Sequence, residues 1–197
     1  MVWIRDIKKR TKYYEETNAK APSAFLVKTL KFAKGNKAID LGCGSGVETR
    51  EIAKNGFSIV AVDVNKDVKK YFSKEDLKNI KLKIQSIENF RFVKCDFVFA
   101  KSSLVFLSPG KFYKVLENIK KSLKPGGIFA ARLWGKKDSD NRSGKNHKCT
   151  FVSMDKLKNT FLGYKFLEIV EHEEDKFGAD GRMKHWDFID VIIQKPI

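Results

Sequence analysis

The chain has 197 residues, 42% of them hydrophobic and 16 of them Phe, which is enough to bury one full core and excludes a disordered chain. Its formal charge of +16 rests on 33 Lys and only 7 Arg, spread along the whole length. Arginine suits bidentate phosphate and guanine contacts, so its scarcity predicts a lysine-solvated surface and no specific nucleic-acid partner.

The start, MVWIRDIKKRTKYYEE, carries charges throughout and does not read as a signal peptide. No apolar run reaches the ~18–20 residues of a membrane span. Cys43, Cys95 and Cys149 form no CxxC pair, which predicts reduced thiols in a cytoplasmic protein without a zinc site. Residues 1–36 read as an N-terminal helical segment, with Ser23 capping the apolar run AFLVKTLKFA before Gly35.

From residue 37 the pattern alternates. KAIDL is a short buried strand stopped by glycines, and VETREIAKNG is a helix closed near Gly56. FSIVAVDV is a second strand, DVKKYFSKEDLKN a second amphipathic helix, and IKLKIQSI a weaker strand. CDFVFAKSSLVFL is a strand running into a loop or helix. FYKVLENIKKSLKPGG is a helix closed by Pro-Gly-Gly, and GIFAARLWG the fifth strand. Strands alternating with crossover helices predict a parallel sheet covered on both faces.

The last third differs. After the polar loop GKKDSDNRSGKNHK, FVSMDKLKNTFL reads as a helix, and KFLEIVEHEE and HWDFIDVIIQK as two strands joined by the loop DKFGADGRM. Adjacent strands without a helix between them pair antiparallel. The expected architecture is a single α/β domain, residues 1–197. Its Rossmann-like core, residues 37–197, holds a doubly wound, mostly parallel seven-stranded sheet ending in an antiparallel C-terminal hairpin.

The stretch AIDLGCGSGVETREIA carries the chemistry. Gly42, Gly44 and Gly46 lie within five positions, directly before a helix. The dinucleotide fingerprint G-x-G-x-x-G would need a glycine at Val47. Asp40, two residues before the first glycine, would repel a pyrophosphate resting on that helix N-terminus. A cationic ligand would be welcome, which favours S-adenosylmethionine (SAM) over NAD. Asp63 ends the second strand 17 residues beyond Gly46 and admits two readings. It either accepts the hydroxyls of a ribose or caps the turn Asp-Val-Asn.

These segments, with IQSIENFRF, CDFVFAKSSLVFLSP, LKPGGIFAARLWGKKDS and KHWDFIDVIIQKP, resemble the class I SAM-dependent methyltransferases, in particular the small tellurite-resistance (TehB-like) subgroup, over about residues 13–196. The resemblance implies that Asp40, Gly42, Cys43 and Gly44, in the loop reaching Gly46, hold the methionine end of SAM. It places the ribose on Asp63, the adenine beside Val64, and Gln85, Ser86 and Ile87 along the adenine, with Ser86 where an Asp is frequent. Ala100, Lys101 and Ser102 would face the methyl donor. The Asn-Pro-Pro-Tyr motif of amino-methylating DNA enzymes is missing, AKSSLVF standing in its place.

The expected activity is methyl transfer to a small-molecule acceptor by a monomer or homodimer that needs no metal, membrane or specific nucleic acid. The alternatives are an RNA or protein methyltransferase and a non-catalytic binding module. No dedicated catalytic residue is legible. Lys101 reads as a tuned base or an ordinary surface lysine, and His185 is the one candidate proton acceptor near neutral pH. Around the acceptor the expected segments are the stretch at Tyr14, residues 136–148, and the hairpin at His185 and Trp186. Trp3, Tyr13 and Tyr14 either cover the ligand or pack the first helix, and His147 with Cys149 is too small a set for zinc.

Overall fold

Seven strands form one sheet in the order β3-β2-β1-β4-β5-β7-β6 in the computed structural model, which describes residues 7–142, 149–178 and 181–197. The strands are β1 (Lys37–Leu41), β2 (Ser58–Asp63), β3 (Ile80–Ile84), β4 (Cys95–Lys101), β5 (Leu123–Trp134), β6 (Lys165–Phe177) and β7 (Met183–Gln194). The first five pair in parallel, and the last two complete the sheet antiparallel, as the alternation of elements predicts. The strand order reverses between β1 and β4, so the crevice where such sheets bind ligands opens at the carboxyl ends of these two.

The helices are α1 (Ile7–Asn18), α2 (Ala24–Leu30), α3 (Val47–Lys54), α4 (Pro109–Ser122), α5 (Ser139–Arg142) and α6 (Met154–Thr160). Period-2 alternation along β4 sends Phe97 and Phe99 to one face of the sheet and Val98 and Ala100 to the other. The first face packs Leu26 of α2 and Ile52 of α3. The second packs Phe112, Val115, Leu116 and Ile119, which recur at helical spacing along α4. At roughly 25 cal/mol per Å2 of apolar surface, each of these fully buried side chains contributes about 2 kcal/mol.

Three elements differ from expectation. The helix expected over 67–79 is two short 3-10 turns, Lys66–Tyr71 and Asp76–Lys78, with Phe72 extended between them. Ser73 and Asp76 exchange side-chain-to-backbone hydrogen bonds of 2.8 and 3.1 Å, an alternative to the helical ladder that stops it there. The helix expected to reach Pro-Gly-Gly ends at Ser122, and Leu123 already pairs with Cys95 of β4. Pro125 cannot donate to a helix, and a Cβ at Gly127 would lie 2.9 Å from the Lys124 carbonyl. The hairpin is longer than expected. Its nine-residue loop contracts to residues 178–182, closed by Gly178 N–H donating to Arg182 O at 2.8 Å.

β7 pairs with β5 only from Phe188 onward, opposite Trp134. Five further pairs, from Glu173↔Asp187 to Phe177↔Met183, run past the end of β5 as an arm, tied back by Gly135 N–H and Lys137 N–H, which donate to the Asp187 carbonyl and carboxylate, each at 2.7 Å. At about 3.4 Å per residue the arm projects roughly 17 Å over the crevice side of the sheet.

Candidate active site

The loop after β1 is anchored to β2. Gly42 and Cys43 both donate to Val62 O, at 2.7 and 3.0 Å. Gly42 has φ +84°, and a Cβ there would collide with Ser103, whose hydroxyl donates to Leu41 O. Only glycine meets both demands. Ser103 follows Ser102, a non-glycine residue with φ +54°, so the tip of β4 is a backbone outlier pressed against the glycine loop.

Two acids flank the loop. Asp40 is 2% exposed and accepts a 2.6 Å hydrogen bond from Thr49 Oγ1 of α3. Burial raises its carboxyl to about 7, assisted by the Glu48 and Asp63 carboxylates and opposed by Thr49 and Lys101. Asp63 is 5% exposed, with Oδ2 accepting from Gly44 N–H at 3.0 Å and Oδ1 from Asn65 N–H at 2.8 Å. Tyr14 of α1 donates to the same Oδ2 at 3.4 Å, and its ring lies 3.2 Å from where a Gly44 Cβ would be. Asp63 therefore braces the glycine loop and the following turn together, and Tyr14 covers both. Cys43 is buried beside these acids, which pushes its thiol well above the ordinary range and keeps it protonated.

Farther along the crevice, Gln85 N–H donates to Asp63 O at 2.8 Å, placing Gln85, Ser86 and Ile87 beside the end of β2. Val64 is largely exposed. Asn65 Nδ2 and Ser86 Oγ are buried and have no hydrogen-bond partner. Asn65 Oδ1 accepts from Asp67 N–H at 3.0 Å, which fixes the amide so that the unpartnered group is a donor. Ala100 is fully buried in the core, so only its backbone can serve a ligand. Lys101 is partly exposed, and its side chain is paired with Glu48 of α3.

On the acceptor side the arm's alternation separates two residues that the sequence grouped together. Trp186 and Lys184 face β5: the Lys184 ammonium lies 3.9 Å from the Trp186 ring centre and 4.6 Å from that of Trp134. It also bonds Asp138 at 3.0 Å and Asp140 at 2.7 Å. His185 lies on the other face, with Nδ1 2.9 Å from Asp175 and Nε2 3.3 Å from Glu173. A single pocket therefore cannot be walled by His185 and Trp186 together. Trp3, His147 and residues 143–148 lie outside the described residues, so the loop is described only to Arg142. Among the described residues no group of three or more His, Cys, Asp or Glu is placed to hold a metal, and no helix is long and apolar enough to cross a membrane.

Sequence reasoning missed Glu48, Asn65, Ser103 and Lys184. Asn65 stands in the turn Asp-Val-Asn, Ser103 in AKSSLVF and Lys184 in the KHW run, but none was singled out.

Five parallel strands, a glycine loop between two buried acids after the first, and a final strand inserted antiparallel beside the fifth define the class I methyltransferase fold. The chain belongs to the TehB family: the model described as tellurite resistance protein TehB matches residues 3–184. Among solved structures, TehB from Haemophilus influenzae superposes with a TM-score of 0.74 at 19% identity, over 95% of this chain and 67% of its own. The N-methyltransferase NodS from Bradyrhizobium japonicum WM9, in complex with S-adenosyl-L-homocysteine, gives 0.68 at 15%, over 96% and 100%. The 1,6-didemethyltoxoflavin-N1-methyltransferase of Burkholderia thailandensis, also with S-adenosylhomocysteine, gives 0.65 at 11%, over 88% and 79%. At these identities the neighbours establish the shared fold.

Proposed function

We propose that the crevice between β1 and β4 binds SAM and that the chain transfers its methyl group to a small-molecule acceptor. The observation that carries this reading is the pair of buried acids, Asp40 and Asp63, on either side of the glycine loop. A pyrophosphate resting on the α3 N-terminus would meet Asp40 at close range, whereas a sulfonium compound gains from its ionised form, and Asp63 is placed for the ribose hydroxyls of either ligand. The buried, unpartnered donor of Asn65 and hydroxyl of Ser86 fit an adenosine, which brings ring and ribose acceptors to that end of the crevice.

In this reading Gly42, Cys43, Gly44 and Gly46 bring bare backbone against the ligand, and Asp63 turns its remaining lone pairs to the ribose. Val64, Gln85, Ser86 and Ile87 line the adenine end, while the backbone at Ala100 and the side chain of Lys101 border the methionine end. The sulfonium supplies an activated methyl group, so the protein's task is to hold a nucleophile in line with it and keep water out. The aromatic surface of Phe106, Trp134 and Trp186 borders the tip of β5 and supports a small organic or soft inorganic acceptor.

Calorimetry tests the first half. SAM and S-adenosylhomocysteine should bind in the micromolar range, ~−7 to −8 kcal/mol, and NAD should give no heat. No binding of either at millimolar concentration ends the methyltransferase reading. Release of S-adenosylhomocysteine in a screen of thiols, amines and oxyanions of selenium and tellurium tests the second half. Turnover confined to RNA or protein would transfer the activity to the basic surface.

A further inference from the structure

A groove of about 430 Å3 opens at the amino end of the sheet, between residues 90–94, which lead into β4, and the last turn of α4. β4 is seven residues long, so the groove lies roughly 20 Å from the crevice. Its floor is apolar. The rings of Phe90 and Phe92 stand edge to face, 4.9 Å apart between centres at 73°, and Val93 beside them is 53% exposed. Its rim is cationic: Arg91, Lys94 and Lys121 are all exposed, and no acid lines the groove. Lys94 donates to Lys121 O at 2.9 Å, a cation closing the C-terminus of α4. Among the described residues, the side chains of Arg91 and Lys121 make no hydrogen bond or ion pair. The neighbouring lysines are balanced, Lys124 by Asp96 at 2.7 Å and Lys111 by Glu88 at 2.9 Å, and Arg50 and Arg132 are bonded within the fold.

We propose that this groove is a second ligand site, taking a small aromatic carboxylate. It shares no residue with the crevice, so this holds whatever the crevice binds. Three like charges around a low-dielectric floor repel one another and concentrate anions at that spot. The Arg91 guanidinium presents two parallel N–H donors to a planar carboxylate, and Lys121 lines the same opening from α4. A flat ring would continue the edge-to-face order of Phe90 and Phe92 and cover Val93, removing apolar surface from water. The half-buried Asn118 supplies an amide for a polar substituent on that ring. The volume is that of a small-molecule site. A fatty acid would leave most of its chain in water across so open a groove, and inorganic phosphate would leave the floor uncovered.

Equilibrium dialysis with 2-naphthoate tests this, alongside cyclohexanecarboxylate, the neutral 2-naphthalenemethanol and inorganic phosphate. Wild type should bind 2-naphthoate at one site per chain with a Kd of about 0.1–1 mM, ordinary for a small ligand in an open site. Loss of the charge should weaken binding about tenfold, and loss of the flat ring about threefold. Arg91→Glu should also cost about tenfold, with an unchanged melting temperature because Arg91 holds nothing in the fold. Phe92→Leu keeps an apolar side chain without the ring and should cost about threefold. Lys81→Glu makes the same change of net charge at an exposed position of β3, and should leave the affinity unchanged. Two results on wild type alone overturn the proposal: no binding of 2-naphthoate at millimolar concentration, or binding of the alcohol or of phosphate just as tight. Binding that survives Arg91→Glu would put the ligand elsewhere, and an equal loss in Lys81→Glu would reduce the site to diffuse surface charge. Either outcome also sinks it.

Discussion

Replacing Asp40 by Asn should remove a proton linkage that the structure predicts for ligand binding. The carboxyl is raised to about 7 by burial, against 3.8 for an exposed aspartate. Between those values the folded protein holds a proton that the unfolded chain has released, so stability falls as pH rises. The loss begins near pH 4, is complete above pH 7, and amounts to about 4 kcal/mol. A sulfonium beside the loop favours the ionised form and pulls the pKa back down. SAM binding at pH 6 should therefore expel close to one proton, and affinity should drop roughly tenfold per pH unit below 7. Calorimetry at pH 6 and pH 8, in buffers of different ionisation enthalpy, reads the proton directly. S-adenosylhomocysteine, with no sulfonium, should show a weaker linkage. In Asp40→Asn the linkage should vanish and stability at pH 8 should rise, because Thr49 can still donate to the amide oxygen. A SAM affinity that is flat from pH 6 to 8, with no buffer-dependent heat, would refute the reasoning.

Gly42→Ala must adopt φ +84° and push its methyl into Ser103, so it should cost at least ~2–3 kcal/mol in denaturant unfolding and disable cofactor binding. An Ala variant of wild-type stability would mean that the β4 tip yields. Asp190→Ala strands Arg132, which now makes bonds of 2.8 and 2.7 Å to that carboxylate and lies 4.2 Å from the Phe188 ring centre. With Arg132 partly exposed, the cost should be about 2–3 kcal/mol, or roughly 4–12 °C in melting temperature for a chain this long, with SAM affinity intact. An unchanged melting curve would show that the pair is not coupled to the sheet.

Strands were legible wherever apolar runs met glycines. KAIDL and FSIVAVDV are buried on both faces, and a sequence can announce that in five residues. The region 66–79 was not legible, because an amphipathic count ignores the Ser73–Asp76 hydrogen bonds that break the run. The glycine loop and its two acids stood out through composition alone. The Glu48–Lys101 pair could not, since its members are 53 positions apart and meet only through the β1–β4 crossover. His185 was readable as a titratable group at the right edge. Which way it faced depended on the register of β6 against β7, and that follows from a turn of five residues where the polar sequence suggests nine.

The place of β7 has a bearing on how the chain is assembled. It lies between β5 and β6, so β6, made first, has no strand to pair with until residues 183–194 have followed it. During synthesis the five parallel strands can dock in the order they emerge, while β6 waits with both edges open. The step that completes the sheet is thus the insertion of a single strand between β5 and β6, drawing its partners from as far as 66 positions back, at the Ile128↔Gln194 pair. Contacts of such long range close slowly, and an unpaired β6 is a template for the wrong neighbour while they do. The acids of Glu171, Glu173, Glu174 and Asp175 are charged along that strand throughout the wait, and would keep a second copy's β6 from joining it edge to edge.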